Sequence, residues 1–63
     1  MKLQLKNNPY MGKSMLELAD IKATLIGERE VLAETIEDLA YYQNELELIA
    51  SAEVIAIGTG NFQ

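Results

Sequence analysis

Five leucines stand seven residues apart, at Leu18, Leu25, Leu32, Leu39 and Leu46. Seven residues are close to two turns of α-helix, so these side chains return to one face. A sustained repeat of this kind marks helices packed in a left-handed supercoil. The residue after each leucine is mostly small or apolar (Ala19, Ile26, Ala33, Ala40), and Glu47 breaks that flank. The sequence therefore predicts an all-α protein. Its expected form is a long amphipathic helix or an αα-hairpin with a leucine heptad, associating as a coiled coil or helical bundle, with an extended N-terminal arm and a short C-terminal tail.

The helix start is marked by Ser14 with Glu17 three residues later, a capping-box pattern. Asp20 adds negative charge near that positive helix end. Pro9 and Gly12 set the preceding segment apart as non-helical, and Gly58 and Gly60 limit the helix downstream. One small domain over 1–63 is expected: a basic extended arm at 1–13, a helical heptad region at 14–53 open to a break at 26–30, and an apolar then Gly-rich tail at 54–63. The alternation Met-Lys-Leu-Gln-Leu-Lys at 1–6 has strand period, and 54–57 is a short, mostly β-branched run, so the two could pair. Alternatively Val54–Ile57 is the last helical turn, ended by Gly58; the preferred reading ends the helix near Glu53 or Ala56 and leaves a loose tail.

The seam is imperfect. With the leucines at heptad position a, position d holds Ile21, Glu28, Thr35, Tyr42 and Ile49. With the leucines at d, position a holds Lys22, Arg29, Ile36, Gln43 and Ala50. Either register puts a charge in mid-seam beside Gly27, which argues for a bend at 26–30. A continuous helix over 15–53 would be about 58 Å long and would need a partner for its stripe. A hairpin would bring Leu18, Ile21 and Leu25 against Ile36, Leu39, Leu46 and Ile49, and two hairpins would make a four-helix bundle. Leu32 completes the expected oligomer seam.

Size argues for self-association as well. A chain of 63 residues buries only about 60% of its unfolded surface and is marginal alone. With no Cys and no His, neither a disulfide nor an ordinary zinc site supports it. A homodimer or higher oligomer is the expected remedy.

Charge is segregated. Residues 1–14 hold Lys2, Lys6 and Lys13 and no acid, whereas the remainder holds two bases against ten acids. Three spaced lysines make a poor phosphate-binding face, and the acidic body repels a nucleic-acid backbone, so nucleic acid is disfavoured. Glu30, Glu34, Glu37 and Asp38 crowd adjacent turns, followed by Tyr41 and Tyr42. These six residues form the candidate surface for a partner protein with a basic face.

Catalysis is not expected. No His or Cys offers a base or nucleophile, and Ser14 and Ser51 have no partner base. One helical layer provides no pocket to shift a carboxylate pKa. No cofactor and no metal site is expected: Gly58-Thr59-Gly60 lacks the third glycine and following helix of a dinucleotide loop. No run of apolar residues is long enough to span a membrane, and Asn7, Asn8 and Pro9 interrupt any signal-like start. A cytoplasmic location fits these features. The expected function is that of a small acidic helical protein–protein interaction module, a homo-oligomeric regulator or inhibitor. A structural oligomerisation or scaffold element is the alternative, and a nucleic-acid module using the basic arm ranks last.

Overall fold

A computed structural model describes residues 5–63. Two helices, α1 (Met15–Leu32) and α2 (Ile36–Thr59), fold back on each other as a hairpin. The described residues contain no strand. None of their helices is long and apolar enough to cross a membrane.

Helix α1 begins where its capping pattern lies. Ser14 Oγ accepts from the Glu17 amide at 3.2 Å, and the Glu17 carboxylate accepts from the Ser14 amide at 3.3 Å. Both halves of the box are formed, and Ser14 is only 1% exposed.

The chain turns at 33–35 rather than at 26–30, which lies within α1. Gly27 faces open space and remains helical. A lone glycine costs a helix about 1 kcal/mol, less than the roughly 1.5–3 kcal/mol from burying a leucine such as Leu25 two residues earlier. The turn falls instead at a second cap. Thr35 Oγ1 accepts from the Asp38 amide at 3.1 Å, and Asp38 Oδ2 accepts from the Glu34 amide at 3.0 Å.

That turn resets the helical phase. The core contains Leu18 and Leu25 from α1, and Tyr42, Ile49, Ala52 and Ala56 from α2. Tyr42, Ile49 and Ala56 are themselves seven apart, three residues out of step with Leu39 and Leu46. The leucine series is therefore split: Leu18 and Leu25 are buried while Leu32, on the same face, is exposed at the end of α1, and in α2 Leu46 is half-buried and Leu39 exposed. The alanines at 52 and 56 leave room for α1 to approach closely.

The described ends of the chain differ from expectation in part. The helix runs through 54–57, as the reading of Val54–Ile57 as a last helical turn has it, but continues past Gly58 to Thr59, where Gly60 caps it in the left-handed conformation at φ 71°. The tail beyond is not loose. The Asn61 and Phe62 carbonyls accept from the Met15 and Leu16 amides at 2.9 and 3.1 Å. Those are first-turn donors of α1, which have no acceptor within their own helix.

The described part of the arm is a series of turns, not an extended strand. Pro9 occupies the second position of a turn closed by Met11 N–H to the Asn8 carbonyl at 3.2 Å. Asn8 Nδ2 then donates to the Leu48 carbonyl at 2.7 Å, and the Tyr10 hydroxyl donates to Glu45 at 2.8 Å. Most of the 1–6 strand pattern, including Lys2, lies outside the described residues.

Candidate interaction surface

The hairpin tip combines a tight turn with apolar side chains left in water. Helix α1 ends with Val31 and Leu32, and α2 opens with Ile36. Val31 is 78% exposed and Ile36 is 85% exposed, with Leu32 and Leu39 also exposed. The cause is local. The core stripes run through Leu25 and Tyr42, so helical spacing turns Val31 and Ile36 away from them, whereas Leu32 continues the Leu25 stripe but stands at the end of α1, where it is left exposed. Ala33, partly buried, is the apolar residue of the tip packed against the core.

Acids surround this patch. Residues 28–38 hold Glu28, Glu30, Glu34, Glu37 and Asp38 against Arg29 alone. Glu37 and Asp38 lie in the first turn of α2, where negative charge is favoured by the helix dipole. Asp38 is engaged in the cap, while Glu30, Glu34 and Glu37 are exposed. The tip thus carries exposed apolar side chains and exposed carboxylates within one short stretch of chain.

The two tyrosines separate. Tyr42 is buried in the core, so it belongs to the fold rather than to an open surface. Tyr41 is exposed and meets the Tyr42 ring edge-on at a centroid distance of 5.1 Å. Burial pushes the Tyr42 hydroxyl pKa up, and the nearby Glu28 carboxylate pushes it the same way.

Of the eight expected seam residues, Leu18, Leu25 and Ile49 are buried within one hairpin, and Ile21 and Leu46 pack at its edge. Leu32, Ile36 and Leu39 face outward. An open groove of about 340 Å³ on the α1 side is lined by Asp20, Ile21, Thr24, Leu25 and Glu28. Its apolar floor and acidic rim offer no convergent polar set for a small ligand. Among the described residues no group of three His, Cys, Asp or Glu side chains is placed to hold a metal ion.

Reading the sequence alone missed the tip patch. Thr35 and Asp38 have the spacing of a cap and mark where α2 starts. Placing the turn there exposes Val31 and Ile36. No family model matches the chain, and no curated protein and no solved structure matches it.

Proposed function

We propose that this chain is a small acidic helical protein–protein interaction module, a homo-oligomeric regulator or inhibitor that works by binding another protein. The supporting observation is the hairpin tip, where Val31 and Ile36 stand exposed among five acids and one base. Ordering them costs little, because the turn is already fixed by the Thr35 cap. The partner surface that fits is basic with an apolar centre. Tyr41 lies beyond the acids as a further anchor, whereas Tyr42 is committed to the core.

The test compares two baits, the native chain and a Val31→Glu/Ile36→Glu variant of equal helicity. A protein held stoichiometrically by the native bait, lost from the variant and released by salt, supports the reading. Equal capture by both baits removes the tip from the binding surface. A second reading, a structural oligomerisation element, is favoured by the exposed outer side of α2, where Leu39 and Ile57 face water.

A further inference from the structure

Helix α2 carries a second stripe that α1 covers only in part: Leu46 packs at the core edge and Glu53 pairs with Lys22, while Leu39 and Ile57 are exposed. Residues 39, 43, 46, 50, 53 and 57 alternate in steps of four and three, the spacing of a coiled-coil seam. They read Leu39, Gln43, Leu46, Ala50, Glu53 and Ile57. Leu39 is 50% exposed and Ile57 is 56% exposed, with Leu46 and Ala50 half-buried between them.

The ion pair Lys22–Glu53, at 3.7 Å, shows where this stripe lies. It bridges the helices along one flank of the hairpin. On α1, Ala19 and Ile26 are three residues before and four after Lys22, on the side away from Leu18 and Leu25. The flank is thus apolar on both helices, with one neutralised pair inside it.

We propose that a second copy of the chain covers this flank, with its α2 antiparallel to the first and a two-fold axis at the level of residue 48. This rests on the reading of the chain as self-associating and names the face used. In that register Leu39 meets Ile57 of the second copy, Gln43 meets Glu53, and Leu46 meets Ala50. Apolar faces apolar, a large side chain faces a small one at the axis, and the one amide faces the one carboxylate.

A parallel pairing sets each residue against its own counterpart, so Glu53 faces Glu53. Each Glu53 is already paired with Lys22 of its own chain, so the larger loss in a parallel pairing is packing, with Leu46 against Leu46 and Ala50 against Ala50. The long extent of 37 Å accommodates the whole register, since residues 39 to 57 span about 27 Å of helix. The acidic tips then lie at opposite ends of the dimer, clear of each other.

The chain has no Cys, so introduced cysteines report pairing without background. In a Leu39→Cys/Ile57→Cys variant the two thiols of one chain are about 27 Å apart along α2, too far for an internal disulfide. After mild oxidation and cleavage at glutamates, which separates the two positions, mass spectrometry identifies the linked peptides. The expected product links position 39 of one copy to position 57 of the other, with native helicity and a dimer mass by light scattering. Links of 39 to 39 and 57 to 57 overturn the antiparallel register. A dimer that forms no link overturns this face but leaves self-association standing. A monomer, in the native chain as in the variant, overturns both.

Discussion

The two ends of the hairpin are built differently. Away from the tip the chain is tied in two places: the Asn8–Tyr10 turn to the middle of α2 at Glu45 and Leu48, and the tail to the start of α1. The fully buried side chains Leu18 and Ile49 lie on this side of the molecule. At the open end the helices are joined by one short turn and one cap, with Val31 and Ile36 in water. A chain this small concentrates its stabilising contacts where both termini can contribute.

The largest expected effect comes from breaking the packing away from the tip. Ile49→Ala should lower stability by about 2–5 kcal/mol, enough to unfold much of the population, because it leaves a cavity in a small core. Ile36→Ala at the open end should stay within about 0.5 kcal/mol. Urea melts followed by circular dichroism at constant protein concentration measure both, and comparable losses would erase the distinction between the ends.

The caps provide a finer comparison. Ser14→Ala breaks a reciprocal box at a buried position and should cost about 1–2 kcal/mol; Thr35→Ala, at the exposed turn, should cost about 0.5–1 kcal/mol. The same melts rank them. A smaller change of opposite sign is expected for Gly27→Ala. An added Cβ there meets nothing within 4 Å, so stability should rise by up to about 1 kcal/mol.

The last comparison depends on pH. Burial and the hydrogen bond to Glu45 push the Tyr10 hydroxyl from 10.0 up to about 12. A folded-state pKa raised above the unfolded value means the neutral phenol is favoured in the fold. Its contribution is complete below pH 10 and is lost as pH rises toward 12. Tyr10→Phe should therefore lose the bond, about 1 kcal/mol at neutral pH, and show a shallower fall in stability between pH 10 and 12 than the native chain.

The helical class and the start of α1 were legible in the sequence because they rest on local signals: the Ser14–Glu17 box and apolar side chains at helical spacing. The position of the turn was harder to read. Gly27 looked like the break, yet its cost is small beside the burial of Leu25, and the cap at Thr35 determines where α2 begins. The leucine repeat misled about the core for a tertiary reason. Once the chain reverses at 33–35, Tyr42 and Ile49 face α1, and Leu39 is turned outward. The end of α2 depended on contacts no local pattern contains. The β-branched run at 54–57 stays helical because Ala52 and Ala56 pack on α1 and the Gly60 turn returns the tail to the α1 amides. The tip patch follows from the turn and could be read only once the turn was placed.

Native-state amide hydrogen exchange tests the contrast between the two ends most directly, because it reports local opening residue by residue. The slowest amides should lie in the core stretches of α1 around Leu18–Leu25 and of α2 around 49–56, with fast exchange from 30 to 38. A single block of uniform protection running through 26–39 would be the signature of one continuous helix and would contradict the hairpin with an open tip.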